Sequence, residues 1–395
     1  MQNIQPVNKH ALRLTLGYYL LFLVLGLDTA LAGPNLPALA QQTQSRLGQI
    51  GFLFLFGAVG YTVGTAFGGR IFDRLPGHQI MGAAQIVAAL LIALIPFLPI
   101  LWLLILIYIL KGFFEGIINT GTNTLLTWTH GLKVSPYMNG LHFCFGLGAF
   151  IAPLLAAQFT SVVGGYRWAF WIIAALAALA GLIVLFMPGS PEPSSHQVHE
   201  PSRVQGRLRQ DFVFIMTAVI FLFFYVGAEI TYGGWIYTYA FTLNLATAAQ
   251  AAYLTSGFWL SFTIGRLLSI PIATRLKPRY SIVVALIGCL GFITLPVFIP
   301  KSPEILWVTT LGLGFFMAPI WPSGFTLAGQ SIHLTARSSG IILLGDSIGG
   351  MVLPTVVGQV IESIGPRALI ILVFSSLIGT LLGFFGMLRL KPKSR

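Results

Sequence analysis

Four polar side chains recur at one-turn spacing inside an otherwise apolar stretch, residues 101–126. They are Lys111, Glu115, Asn119 and Asn123. On an α-helix this spacing aligns them in a single stripe. An ammonium beside a carboxylate can form an ion pair or share its place with another cation, and amides can hydrogen-bond a hydroxylated ligand. The stripe therefore indicates binding or ion handling on one long helix.

The composition indicates that this helix crosses a membrane. Apolar residues make up 56% of the chain and charged residues 8%, against about 25% charged in soluble domains. Twelve apolar segments approach the roughly 20 residues that a bilayer core requires, whereas a membrane β-barrel would show short alternating strands. We predict twelve membrane-spanning helices near residues 12–36, 47–69, 79–99, 101–127, 137–162, 168–188, 211–240, 249–273, 280–300, 304–331, 338–362 and 367–390.

The basic residues predict the orientation of these helices. Of the 22 Lys and Arg residues, seventeen fall in tails and loops on one predicted side, four on the other, and Lys111 lies within a span. This bias predicts cytoplasmic termini in a plasma (inner) membrane, and it explains the net charge of +12 without a nucleic-acid partner. The expected partners are lipid and a small molecule, and we expect a monomer.

Enzymatic and ATP-driven functions find no support in the motifs. The seven histidines are scattered without metal-ligand spacing, so no metal site is predicted, and no nucleotide-binding P-loop occurs. Cys144 and Cys289 fall in different spans, which implies no disulfide. We expect no cofactor apart from Na⁺ or H⁺ as a coupling ion.

Landmarks recur at an offset of 201 to 205 residues, which predicts two related halves. A polar Pro- and Ser-rich segment divides the chain into an N-terminal bundle (1–188), a cytoplasmic linker (189–210) and a C-terminal bundle (211–395). Parallel repeats of six spans are typical of transporters. The matching positions are Gly26, Asp28 and Gly33 with Gly227, Glu229 and Gly234; Gly60, Arg70 and Arg74 with Gly265, Arg275 and Arg279; Gly112 with Gly314; and Gly148, Pro153 and Gln158 with Gly349, Pro354 and Gln359.

Several motifs resemble one transporter family. "GGRIFDRLPGHQ" (68–79) is similar to the loop signature of the major facilitator superfamily, although Pro76 is inserted and His78-Gln79 replace a basic pair. "EGIINTGTN", "NGLHFCFGLGAFIAPL", "YVGAEITYGGWIYTYA" and "SGFWLSFTIGRLL" resemble its fucose-permease side, and most its sodium-dependent glucose transporter-like branch. The resemblance implies an all-α membrane protein of twelve transmembrane helices in two pseudo-symmetric six-helix bundles.

Four acidic residues, Asp28, Glu115, Glu229 and Asp346, fall within predicted spans. Each costs about 2.5–3.5 kcal/mol to insert, so each is expected to have a task or a partner. The resemblance implies that Asp28 and Glu115 couple cation movement to sugar movement. Alternatively, Lys111, which departs from the family pattern, pairs with one or both acids. Asp346 is either a second ion ligand or the partner of a cation in span 8.

The predicted sugar contacts combine hydrogen-bonding side chains with aromatic rings, although packing explains each tryptophan equally well. They are Glu115, Asn119, Asn123, His142, Glu229, Tyr232, Trp235, Trp259 and Trp321. The predicted ion-coupling residues are Asp28, Lys111, Glu115 and Asp346. By resemblance, Asp73 docks near the start of span 11 and closes an inner gate with Gly69, Arg74, Arg266 and Arg275, whereas simple membrane topology accounts for the arginines alone.

The expected function is secondary active transport of a monosaccharide, a hexose such as glucose, by alternating access. Na⁺ or H⁺ symport would run through Asp28 and Glu115. Two alternatives remain: an ion-independent sugar facilitator in which Lys111 is a built-in cation, and a drug or metabolite exporter of the same fold.

Overall fold

A computed structural model describes residues 9–72, 74–162, 164–191, 208–332 and 336–390. Twelve helical spans follow one another in these residues, and the predicted all-α fold is confirmed. Eleven of the described spans have the length and apolarity of a membrane crossing; α8 is long enough but more polar. The spans are α1 Lys9–Gln42, α2 Phe52–Phe72, α3 Gly77–Leu94, α4 Leu101–His130, α5 Val134–Gln158, α6 Tyr166–Leu185, α7 Leu208–Thr242, α8 Ala248–Ala273, α9 Pro278–Phe298, α10a Pro303–Met317 with α10b Ile320–Ser331, α11 Ala336–Ile364 and α12 Ala368–Arg389.

Short segments connect or extend some of these spans. Leu47–Ile50 forms one turn before α2, and short 3₁₀ turns at Ile95–Phe97 and Gly131–Lys133 follow α3 and α4. The helix α7 begins at Leu208, three residues before the predicted boundary, and residues 192–207 of the predicted linker lie outside the described residues.

The tenth span is broken, which the sequence prediction of one continuous helix over 304–331 missed. The break falls between Met317 and Ile320, at Pro319. Pro319 has no N–H to donate to the carbonyl four residues earlier, which weakens the helical hydrogen-bond ladder at this point. A backbone carbonyl freed at such a break needs another donor. The Tyr225 hydroxyl of α7 donates to the Met317 carbonyl oxygen over 2.7 Å.

Glycines allow α2 and α4 to touch backbone to backbone. A Cβ atom placed on Gly64 would lie 1.9 Å from the carbonyl oxygen of Phe113, and one on Gly112 would lie 2.1 Å from that of Gly57. Small residues at such crossings are the usual means of close helix packing in membranes. The crossing fixes the part of α4 that carries Lys111 and Glu115.

Equivalent glycines hold equivalent crossings in the two halves. A Cβ atom on Gly148 of α5 would lie 2.0 Å from the Leu23 carbonyl oxygen of α1, and one on Gly349 of α11 would lie 2.0 Å from the Phe223 carbonyl oxygen of α7. The helix pairs α1·α5 and α7·α11 occupy the same places in the two sets of six. Their glycines belong to the positions that recur in the sequence at an offset of 201.

The N- and C-terminal halves are in contact near the C-terminus of α1 and the N-terminus of α2. We call this side of the molecule the distal end. The Gln359 amide donates to the Gly48 carbonyl oxygen over 2.7 Å, and the Gly48 N–H donates to the Glu362 carboxylate over 2.9 Å. The Trp235 ring packs against Gly51, where an added Cβ would lie 3.3 Å from the ring. We call these contacts the distal closure.

Candidate functional site

Lys111 lies between two carboxylates contributed by neighbouring helices. Its ammonium donates to the Asp28 carboxylate of α1 and, over 2.8 Å, to Glu115 one turn along α4. The exposed fractions of the three side chains are 8% for Lys111, 4% for Asp28 and 14% for Glu115. The Tyr108 ring centroid lies 5.2 Å from the ammonium. We call Asp28, Lys111 and Glu115 the ion triad.

The ion triad carries two acids and one base. If all three groups are ionised, one negative charge is left over in a buried setting, which is costly unless a proton or another cation joins it. The sequence left open whether Lys111 pairs with Glu115 or with Asp28. In the structure the ammonium contacts both carboxylates at once. A closed triad of this kind is compatible with an ion site and with a fixed internal cation.

A second group of charges lies in the C-terminal half. The charges of Glu229 and Arg266 act on Asp346 of α11, which is half-buried beside Trp321 of α10b. Glu229 of α7 is 8% exposed. Neither acid forms an ion pair with any residue that the structure describes. The Arg266 guanidinium of α8 lies 4.7 Å from the Phe262 ring centroid. These four side chains form the second charge cluster: Glu229, Arg266, Trp321 and Asp346.

Tyr61 of α2 packs against α4 beside Glu115, since a Cβ on Gly116 would lie 2.2 Å from its carbonyl oxygen, and it was missed by the sequence reasoning. Its phenol lies close enough to Glu115 in one half and to Asp346 in the other for both charges to act on it. The repeat contained a signal for it, because Tyr61 follows Gly60 as Arg266 follows Gly265. In each half, the glycine that recurs in the repeat, Gly60 or Gly265, is followed directly by a polar side chain of the candidate site.

His142 of α5 lies between the two halves. Its ring meets Phe22 of α1 edge-on, with centroids 5.6 Å apart, and it feels the charge of Arg266 of α8. His142 and the nearby Asn139 are nevertheless exposed. The imidazole is therefore reachable from outside the packed core, as a ligand contact requires.

The two asparagines of the α4 stripe interact with each other. The Asn123 side-chain amide donates to the Asn119 backbone carbonyl over 2.8 Å and lies 3.3 Å from the Asn119 side-chain oxygen. Both residues are half-buried. They extend the line of polar groups from Glu115 toward the end of α4.

Some of the aromatic residues predicted to contact sugar are buried in packing, and others lie near the candidate site. The Tyr232 hydroxyl pairs with Thr310 over 2.8 Å, and the Trp235 indole donates to the Pro354 carbonyl over 2.9 Å, both fully buried. Trp259 is 4% exposed, and its indole N–H has no partner in the described part of the chain. Trp321 stacks on Phe325 at 5.5 Å. Of the tryptophans, the structure brings Trp321 to the second charge cluster.

The predicted gate is only partly described. Asp73, its central residue, lies outside the described residues. A Cβ on Gly69 would meet nothing within 4 Å. Arg74 and Arg275 are exposed. Arg266 lies apart from them, with Glu229 and Asp346.

One cavity of about 550 Å³ lies away from these charges, at the distal end. Its lining includes Gln41, Phe97, Tyr166 and Arg167. The Gln42 side chain at its wall is already hydrogen-bonded to Tyr166 over 2.6 Å. We therefore regard the ion triad and the second charge cluster, and not this cavity, as the candidate functional site.

A bundle of long apolar helices with buried ionisable groups within its spans is typical of polytopic transporters. Residues 18–354 match the family model described as Major Facilitator Superfamily, so the chain belongs to that family. The predicted family is confirmed, and the chain is a transporter and not an enzyme.

Curated relatives extend this similarity over most of the chain. It is 32% identical to Sodium-dependent glucose transporter 1A of Mus musculus, over 86% of this chain and 88% of the relative. It is 30% identical to Sodium-dependent glucose transporter 1 of Homo sapiens, over 85% of this chain and 71% of the relative.

Solved structures support the fold alone, because their identity to this chain is low. A D-xylose-proton symporter superimposes with a TM-score of 0.76 at 15% identity, covering 97% of both chains. The nucleoside transporter NupG gives a TM-score of 0.74 at 14% identity, covering 98% of this chain and 100% of the other.

Proposed function

We propose that this protein transports a monosaccharide, a hexose such as glucose, by alternating access of a central site to the two sides of the membrane. The relatives named as sodium-dependent glucose transporters support the substrate class. The single observation that carries the proposal is the ion triad, in which Lys111 joins Asp28 of α1 to Glu115 of α4 inside the helical bundle. We further propose a monomer with both termini in the cytoplasm.

Sugar recognition needs hydroxyl-directed hydrogen bonds and an aromatic face. We assign the hydrogen bonds to Glu115, Asn119 and His142, and the aromatic face to Trp321 at the second charge cluster. The unpaired Trp259 indole supports a ligand contact as well, because a buried N–H without an acceptor costs about 1–3 kcal/mol that a ligand hydroxyl would recover.

Cation coupling would act through the ion triad. The one excess negative charge of Asp28 and Glu115 over Lys111 favours uptake of one Na⁺ or H⁺. Symport would follow if sugar binding changes the affinity of this region for the cation, since coupling between two ligands is reciprocal.

Ion-independent facilitation is the second candidate, and one contact favours it. Lys111 already donates to both acids of the ion triad. A permanent ammonium between the two carboxylates occupies the space and balances part of the negative charge that an exchangeable cation would need.

Transport by purified protein in proteoliposomes tests both candidates. Radiolabelled hexose is offered in counterflow, and Na⁺ and pH gradients are then imposed separately. We expect hexose counterflow in every case. A symporter concentrates the sugar when one gradient is present, whereas a facilitator only equilibrates it. If no monosaccharide is carried or competes, the proposal fails in favour of a drug or metabolite exporter.

Replacing the internal cation separates the two candidates further. Under the facilitator mechanism, Lys111→Ala opens the acids to external cations, so uptake should become dependent on Na⁺ or H⁺. Lys133→Ala, at an exposed position outside the triad, is the matched control and should leave ion dependence as it was. Unchanged ion dependence in Lys111→Ala would discard the internal-cation hypothesis.

A further inference from the structure

The cavity at the distal end takes no part in the proposed function, yet its walls are fixed by hydrogen bonds. The Gln42 amide of α1 donates to the Ile95 carbonyl oxygen over 2.9 Å and to the Leu98 carbonyl oxygen, both just after α3. The Tyr166 hydroxyl at the start of α6 donates to the Gln42 side-chain oxygen over 2.6 Å. Three spans are thereby held around about 550 Å³, a volume within the range of small-molecule sites.

The lining of this cavity carries one charge, and that charge is positive. It belongs to Arg167 of α6, and no acid occurs among the described lining residues. The Arg167 guanidinium lies 5.9 Å from the Tyr166 ring centroid and forms no ion pair with any residue that the structure describes. Gln41 of α1 adds an exposed amide to the lining.

These donors suit a phosphate group. A guanidinium binds phosphate through two parallel hydrogen bonds, and a side-chain amide can donate to a further phosphate oxygen. Because the lining has no acid to pair with a choline group, it favours an anionic headgroup over a zwitterionic one.

An exposed apolar surface continues from the cavity along α3. Phe97 lines the cavity and is itself exposed, and Leu94 and Leu90 are exposed at helical spacing before it. Trp168, directly after Arg167, is exposed as well. Tryptophan near helix ends is typical of the boundary between headgroups and hydrocarbon. A ligand with both a phosphate and acyl chains would match the two surfaces, whereas free phosphate would use only the first.

We propose that this cavity binds the headgroup phosphate of an anionic phospholipid from the membrane leaflet at the distal end. The phosphate lies at Arg167, with Gln41 as a second donor, and an acyl chain lies along Leu90, Leu94 and Phe97. Basic pockets between transmembrane helices are known places of headgroup binding. This binding needs neither sugar nor a coupling ion, so it is independent of the proposed transport function.

Lipid binding can be measured on the purified full-length protein in detergent. The midpoint of thermal unfolding is recorded while phosphatidylglycerol, or phosphatidylcholine with the same acyl chains, is added. A ligand that binds the folded state raises this midpoint in a saturable way. We expect phosphatidylglycerol to half-saturate the unmodified protein at a concentration about tenfold or more below that of phosphatidylcholine. Arg167→Gln should abolish this preference.

Matched variants keep the assignment specific. Lys301→Gln removes the same charge from an exposed position outside the cavity, between α9 and α10a, and should keep the preference. Arg167→Lys keeps the charge but loses the two parallel hydrogen bonds, so its preference should be intermediate. If Arg167→Gln does not fold, Arg167→Lys and Gln41→Ala decide, since each should weaken binding of phosphatidylglycerol.

The source of the phosphate is tested with ligands that have no acyl chains. Glycerol phosphate and inorganic phosphate should leave the midpoint unchanged at the concentration at which phosphatidylglycerol saturates. An equal rise with either anion would show a site for soluble anions and overturn the lipid assignment.

Three further results would overturn the proposal. These are equal effects of the two lipids on the unmodified protein, an unchanged preference in Arg167→Gln, and a loss in Lys301→Gln as large as that in Arg167→Gln.

Discussion

At the scale of single residues, Lys111 is the side chain on which most of the central electrostatics depends. It balances one of two buried carboxylates and contacts both. Removing one member of a buried ion pair usually costs more than the pair itself contributes, because an unbalanced charge is left behind. The ion triad should therefore be sensitive to loss of the lysine and less sensitive to loss of a lysine together with an acid.

We expect Lys111→Met to lower the stability of the folded protein by about 3–5 kcal/mol, since two carboxylates would remain without their cation. The double variant Lys111→Met/Asp28→Asn should regain a large part of that loss. Thermal unfolding of four proteins, namely the unmodified protein, Lys111→Met, Asp28→Asn and the double variant, measures the coupling between the two positions, with Lys133→Met as the exposed control. Additive effects of the two substitutions would show that the residues do not act as a unit.

At the scale of helices, glycine contacts set where each functional side chain can lie. The α2·α4 crossing brings backbone atoms together at Gly64 and Phe113, which places Tyr61 and Glu115 on adjoining helices at the centre. A helix pair held at backbone contact cannot accept added volume without moving apart. Displacement of α4 would carry Lys111 and Glu115 away from Asp28.

Gly64→Ala should therefore destabilise the protein by about 1–3 kcal/mol or more, because the new methyl group would meet the Phe113 carbonyl and not a side chain that could rotate away. Gly291→Ala is the matched control within α9, since an added Cβ there meets nothing within 4 Å. Its helix propensity gain predicts a neutral or slightly stabilising effect. Equal unfolding midpoints for the two variants would contradict this account of the crossing.

At the scale of the whole molecule, the distal closure joins the halves through Gly48, Gly51, Trp235, Gln359 and Glu362. It explains why Trp235, predicted from the sequence as a sugar contact, is fully buried in packing at that end. Alternating access requires that this closure opens during each cycle. Holding it shut should then stop transport without unfolding the protein.

A disulfide provides this test. In a Cys144→Ser background, Gly48→Cys with Glu362→Cys places two thiols at positions that are in contact across the closure, and the second substitution removes the side chain that a new Cβ at Gly48 would meet. Oxidation should abolish hexose counterflow, and reduction should restore it. The two single-cysteine variants are the controls. Normal transport by the fully cross-linked protein would contradict opening at this end.

The sequence by itself determined the membrane environment, the twelve helical spans, the family and the landmark glycines of the repeat. Hydropathy over about 20 residues and landmarks at a constant offset are properties of the chain order, so they can be recognised before folding is known. The polar line from Lys111 to Asn123 was visible for the same reason, because residues four apart share a helix face.

Only the tertiary structure decided which groups meet across helices. It brought Asp28 to Lys111, placed Tyr61 against α4 beside Glu115, and broke the tenth span where the Tyr225 hydroxyl donates to the Met317 carbonyl. These outcomes depend on the rotation, tilt and crossing of each helix relative to its neighbours. These angles and distances are set by packing between segments that are far apart in the sequence. Hydropathy is summed along one segment, so it carries no information about them.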